Sequence, residues 1–180
     1  MCHEQHFSKS WCLLDEDATI LFGKRFAQAV QTLALFQPGL VVYLQGNLGM
    51  GKTCLSRAFI QTFLPNQRVK SPTYTLIEAY PAQGVTIYHL DLYRLAEPEE
   101  LAYLGVRDLL SAPHLLLVEW PNKAQGFLPS ADILLCIEPS GSGRVLTLTA
   151  LSAHAKTLGS VLSTCCAEVD GARHSETNLA

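Results

Sequence analysis

No run in this 180-residue chain is apolar for long enough to cross a bilayer, and the start "MCHEQHFSKSWC" lacks the apolar centre of a signal peptide. The six cysteines (Cys2, Cys12, Cys54, Cys136, Cys165 and Cys166) contain no Cys-x-x-Cys pair, and no histidine cluster completes a zinc-ligand spacing. Cys54 and Cys136 read as small apolar filler, and the vicinal Cys165-Cys166 reads the same way rather than as a redox pair. A basic excess is also missing: 13 Lys and Arg stand against 16 Asp and Glu, a formal charge of -3. That excludes a global field for nucleic acid, so any RNA involvement is expected to be indirect or shared with a partner. Repeats and low-complexity segments are absent as well. These absences together predict a reduced, cytosolic protein with one core and no membrane contact.

What is present is an alternation of helix-like and strand-like patterns. Residues 1–12 read as a loose leader, 13–165 as a single domain and 166–180 as a disordered tail. A helical face runs from Asp15 through Leu21, Phe22, Phe26, Ala29, Val30 and Leu33, with Asp15, Glu16 and Asp17 suited to the positive end of its dipole. Pro38-Gly39 breaks it, and "LVVYLQ" follows as a buried parallel strand. "TLIEAY" and "VTIYHLDLY" are two further strand-like stretches on either side of a turn around Pro81 to Gly84. "EPEELAYLGV" reads as a short helix, "HLLLVEW" as another strand, and "ADILLCIEP" with "RVLTLTAL" as an antiparallel hairpin across Ser140 to Gly143. A final helix is expected from His154 to about Cys165. The pattern predicts a three-layer α/β domain with a mixed, mainly parallel sheet and an antiparallel edge.

"GNLGMGKT" fits G-x-x-x-x-G-K-[ST], the P-loop, and it sits between a strand and a helix, the context that gives the pattern its meaning. Its glycines permit a tight turn with inward-facing N–H groups, and the helix N-terminus adds positive charge. The expected nucleotide-binding set is Gly46, Asn47, Leu48, Gly49, Met50, Gly51, Lys52, Thr53 and Cys54. Lys52 would reach the β- and γ-phosphates, and the Thr53 hydroxyl would bind Mg²⁺. Such a site needs a further acid at a strand end, and Asp91 and Glu119 both follow apolar runs. The alternative for each is a salt bridge, to Arg94 or Arg57. His89 shares a strand face with Asp91, but with no third ligand it reads as a packed or hydrogen-bonded core histidine. Guanine recognition would need Asn-Lys-x-Asp, whereas Asn122-Lys123-Ala124-Gln125 lacks the Asp, which leaves adenine by elimination.

"GNLGMGKT", "KSPTYTLIEAY", "IYHLDLYRL", "EELAYLGVRDLL" and "LLLVEWP" occur in the order and at the spacing of the bacterial TsaE family. Over roughly Leu14 to Leu151 the chain resembles these P-loop ATPases of tRNA threonylcarbamoyladenosine (t6A) biosynthesis. The resemblance implies a P-loop NTPase-like fold, ATP binding and Mg²⁺-dependent hydrolysis, slow alone and faster with TsaD-like and TsaB-like partners, the ATPase resetting the transferase complex between turnovers. It implies catalytic roles for Lys52, Asp91 and Glu119, with Glu119 joining Thr53 at the metal or its attacking water. Thr73 and Thr75 would sense the γ-phosphate from a switch-like loop, and Asp15 and Glu16 would lie near the base. The chain departs from the family in having Asn47 and Met50 for Asp and Ala in the P-loop, and Asn122 where Glu is frequent. Two other functions fit a P-loop: a small-molecule kinase, for which Arg94 and Arg107 are available but no Arg-rich lid stands out, and a nucleotide-dependent binding module without useful turnover.

Overall fold

The computed structural model describes residues 7–110 and 113–166, and over that span the elements follow the sequence periodicities closely. In chain order they are β1 (Phe7–Leu13), α1 (Glu16–Thr32), β2 (Leu40–Gln45), α2 (Lys52–Phe63), β3 (Ile77–Ala82), β4 (Val85–Asp91), α3 (Glu100–Tyr103), α4 (Val106–Leu109), β5 (His114–Glu119), a 3-10 turn (Pro121–Ala124), β6 (Ile133–Ser140), β7 (Gly143–Ala150) and α5 (Ala153–Cys165). The strands form one sheet in the order β1-β7-β6-β2-β5-β4-β3. The four central strands are parallel, while antiparallel hairpins close both edges. Fully buried runs such as "HLLLVE" in β5 are what a sheet covered on both faces requires.

Helices α1, α2 and α5 cover one face, where Phe22, Phe26, Leu55, Phe59 and Leu158 meet Leu44, Leu115, Leu117 and Leu135. The short helices α3 and α4 and the 3-10 turn cover the other, where Leu101, Val106 and Ala124 meet Val41, Leu90, Leu116 and Val118. The period-2 alternation of β4 and β5 sorts their side chains between these two clusters. It puts Ile87, Leu115 and Leu117 on the α2 side, and the polar His89, Asp91 and Glu119 follow in the same alternating set. Asp15 caps α1, its carboxylate accepting from the Ala18 N–H at 2.8 Å, with Glu16 and Asp17 in the first turn.

The structure corrects the leader. Residues 7–12 belong to β1, which pairs antiparallel with β7 along its whole length, Trp11 opposite Leu146. "FSKSWCL" alternates with period 2, and it buries Trp11 and Leu13 completely. Trp11 starts an aromatic ladder through Phe22, Phe26, Phe59 and Phe63, with centroid separations of 5.1, 6.4, 5.1 and 5.4 Å, tying β1 to α1 and α2. Pro81, expected in the turn, is paired within β3 opposite Thr86. It is tolerated because β3 is an edge strand with one side free of partners. No disulfide joins Cys165 and Cys166, whose sulfurs lie 4.0 Å apart in a weak hydrogen-bond contact. Residues 1–6 and 167–180, and with them most of the expected tail, lie outside the described residues, as does the side chain of Arg107. No helix among the described residues is long and apolar enough to cross a membrane.

Candidate nucleotide site

The site begins where β2 stops. Its glycines open the chain into left-handed backbone: φ is 81° at Gly49 and 94° at Gly51, with 144° at Gly46. A β-carbon at Gly46 would lie 2.5 Å from the Ile137 carbonyl oxygen, so a side chain there is excluded by space as well as by φ. At Gly51 it would meet the movable end of Arg144, 2.5 Å from Nη1, and φ is the main bar. Unlike α1, helix α2 has no side-chain cap: its N-cap is Gly51 and its first turn holds no acid. The first N–H groups of α2 therefore lack intrahelical acceptors, and they face a cavity of about 430 Å³ lined in part by Gly49, Gly51, Lys52, Thr53 and Cys54. This is a helix terminus built for an anion. Arg144, at the start of β7, braces the loop from outside by donating to the Met50 carbonyl at 3.0 Å.

Across the cavity stand the two acids. Strands β4 and β5 are parallel and in register, so Asp91 lies directly opposite Glu119 at the carboxyl edge. Both are buried, at 4% and 2% exposure. Glu119 Oε2 accepts from the Thr53 hydroxyl at 2.9 Å, and Oε1 sits 2.8 Å from His89 Nε2 and 3.4 Å from the Ser56 hydroxyl. Asp91 accepts from Thr73 at 2.9 Å, from the Tyr93 N–H at 3.1 Å, and from the Ser71 hydroxyl. Neither acid pairs with the arginines weighed above. Arg57 donates instead to the Val69 carbonyl, and Arg94 lies over the Tyr74 ring. Buried carboxylates held by hydroxyls and a histidine, with no cation paired directly to them, suit a metal or phosphate-bound water better than a structural ion pair.

Lys52 is buried beside them. Its ammonium donates to the carbonyls of Gly46 at 2.6 Å and Asn47 at 2.9 Å, and it lies 4.0 Å from the centroid of Trp120. Burial lowers the pKa of this ammonium, and the Glu119 and Asp91 carboxylates push it back up in part. Trp120 adopts left-handed backbone, φ 59°, and its ring also packs on Tyr93 at 5.0 Å. The residue that follows the strand-ending acid is thus a wall of the cavity and a partner of the lysine. Cys54 reaches the Glu16 carboxylate at 3.8 Å, and burial, helped by that carboxylate, pushes its thiol pKa up.

Most of the residues expected from sequence converge here. Leu48, Gly49, Gly51, Lys52, Thr53, Cys54, Thr73, Asp91 and Glu119 all border one cavity. Gly46 and Asn47 border instead a neighbouring depression behind Trp120, together with Asn122, and act on the cavity through the carbonyls that hold Lys52. Met50 packs its side chain against the main core. Glu16 does not line the cavity and reaches it only through Cys54. Thr75 faces away, donating to Glu78 at 3.0 Å on the outer side of the sheet edge. Thr73, two residues earlier, faces Asp91 instead, so one loop delivers two threonines to different places. His89 is a hydrogen-bonded core histidine as expected, fully buried, and no cluster of three metal-ligating side chains occurs among the described residues. Ser71, Tyr93 and the inward aim of Trp120 were not foreseen. A serine two residues before Thr73 is the one signal that could have suggested the first.

The donor set fits Mg²⁺ and a nucleotide triphosphate. Thr53 and Glu119 offer hard oxygens on adjacent walls, and the uncapped α2 terminus with Lys52 offers donors for phosphate oxygens.

Comparison with known proteins points the same way. The family model described as "Threonylcarbamoyl adenosine biosynthesis protein TsaE" matches residues 13–146. The chain is 44% identical over 149 residues to the tRNA threonylcarbamoyladenosine biosynthesis protein TsaE of Haemophilus influenzae, covering 83% of this chain and 94% of that one. It is 33% identical over 126 residues to the protein of the same name from Bacillus subtilis, covering 69% and 78%. The crystal structure of YdiB from B. subtilis superposes with a TM-score of 0.72 at 26% identity, over 91% of this chain and 99% of that one. With the family model spanning most of the chain and a 44% identical relative matched over 94% of its length, this chain belongs to the TsaE family of t6A biosynthesis proteins.

Proposed function

We propose that the protein is a Mg²⁺-dependent ATPase that supports turnover of the threonylcarbamoyl transferase complex acting on tRNA, in company with TsaD-like and TsaB-like partners. The observation that carries this reading is the Thr53–Glu119 pair, 2.9 Å apart, at the mouth of an uncapped, glycine-led helix. Lys52 would hold the β- and γ-phosphates, leaving its carbonyl rest on Gly46 and Asn47. Mg²⁺, when bound by Thr53 and Glu119, would neutralise charge on the phosphate oxygens. Glu119 orients the attacking water, its carboxylate fixed by His89 and Ser56. Asp91 ties Ser71 and Thr73 to the sheet edge, which couples the "SPTYTL" loop to whatever occupies the cavity.

Incubation with γ-labelled ATP and a metabolite pool tests the chemistry. ADP with free phosphate supports the ATPase, and a labelled metabolite replaces it with a kinase. Reconstitution of t6A formation over several turnovers, with this protein added or omitted, tests the role. Equal yields beyond the first turnover would reject it. Lys52→Ala is expected to weaken ATP binding by about ten- to a hundredfold, the worth of one charge-assisted bond to phosphate. Titration calorimetry reads this directly, and unchanged affinity would argue against the phosphate cradle.

A further inference from the structure

We infer that His89 is a positioning residue for the Glu119 carboxylate: it holds one oxygen so that the other stays turned toward Thr53 and the cavity. His89 lies opposite Leu117 in the β4–β5 register, so Glu119 is its diagonal neighbour on the same face. The ring is fully buried and does not line the site cavity, and the contact that joins it to the site is the one to Glu119. The Nε2···Oε1 separation is 2.8 Å, shorter than the 3.4 Å contact from Ser56 to the same oxygen. Nδ1 is buried with no partner. A carboxylate oxygen accepts, so the ring hydrogen sits on Nε2, and the unpartnered Nδ1 is the nitrogen without one.

The arrangement matters because the terminal torsion of a glutamate is a soft, roughly two-fold rotor. Its Oε2 is held by the Thr53 hydroxyl, the group expected to serve the metal. When Thr53 serves elsewhere, His89 and the longer Ser56 contact are what remain to keep the carboxylate in place. A polar ring stands here where the same strand face carries Val85 and Ile87. Leaving one of its nitrogens unpaired is offset only by the bond to Glu119.

The kinetic arm of the test rests on the ATPase reading. His89→Leu removes the donor at similar bulk, and His89→Gln returns an N–H near the position of Nε2. His89→Leu is expected to lower kcat about tenfold with the ATP affinity within about threefold of wild type, and His89→Gln to recover most of the loss. A leucine variant with wild-type kcat, or equal losses in both variants, would overturn the proposal. A second arm needs no turnover and no variant of His89. Long-range ¹⁵N–¹H correlation on histidine-labelled protein should show His89 protonated at Nε2 and bare at Nδ1, with that pattern lost in Glu119→Ala. The opposite tautomer, or one indifferent to Glu119, sinks the inference. Absence of hydrolysis in the wild type would defeat the ATPase reading and leave the spectroscopic arm to decide on His89.

Discussion

Glu119→Ala is expected to lower ATP turnover by about a hundredfold or more, while ATP binding stays close to wild type. The first figure corresponds to about 2.7 kcal/mol at the transition state, the size seen when one preorganised electrostatic group is removed from an active site. The second follows from the proposed roles: the donors for phosphate would be the α2 terminus and Lys52, whereas the Glu119 carboxylate has only acceptor oxygens to offer. The variant leaves the Thr53 and Ser56 hydroxyls and His89 Nε2 without their acceptor, each costing about 1–3 kcal/mol if it stays dry. Thr53 borders the cavity, where water can replace the carboxylate, so part of that cost is recovered. Glu119→Gln keeps the volume and is expected to fold better yet remain slow, because the amide offers one acceptor oxygen and no charge. Phosphate release at saturating Mg-ATP, paired with calorimetric binding, reads both quantities. Equal hydrolysis in Glu119→Ala would remove Glu119 from the chemistry, and a parallel loss of affinity would make it a binding residue instead.

The second large effect lies far from the site. Trp11→Ala is expected to cost about 3–5 kcal/mol of stability, the range for removing a large aromatic side chain from a packed core. Trp11 is fully buried, and its contact with Phe22 anchors the ladder that joins β1 to α1 and α2. Because a typical domain has only about 5–15 kcal/mol in hand, such a loss is a large share of the whole. Trp11→Phe supplies the contrast. Trp11 Nε1 is buried with no acceptor, so the indole N–H contributes an unpaired donor rather than a bond. Phenylalanine retains much of the aromatic contact and deletes that donor, and the expected cost is about 1.5 kcal/mol or less. Chemical denaturation of both variants checks this. A small loss for Trp11→Ala would mean that β1 adds little to the folded state, as a loose leader would.

The strand ending at Glu119 was legible from its composition, since an acid closing an apolar run at a sheet edge has few reasons to be there. The same holds for the P-loop, whose meaning lies in consecutive residues, and for the acidic start of α1 at Asp15, Glu16 and Asp17. β1 was less legible. Its alternation is short and carries polar Ser8, Lys9 and Ser10, so only pairing with β7, more than a hundred residues later, reveals which face Trp11 buries. Thr73 and Thr75 looked equivalent because they share a motif. Thr73 bonds Asp91 while Thr75 bonds Glu78, and nothing local in "SPTYTL" announces the difference.

Sequence by itself determined the elements whose signals are local: the glycine-rich loop, the acidic start of α1, the buried parallel strands and the family. Their physics is the spacing of side chains along one segment, and spacing is written in order. The tertiary structure decided everything that depends on which segments become neighbours. It brought His89 of β4 to Glu119 of β5 and Thr53 of α2, laid Trp120 over Lys52, and turned a leader into the edge of the sheet. Those contacts follow from register and from the shared burial of two faces, and register exists only once the strands have paired.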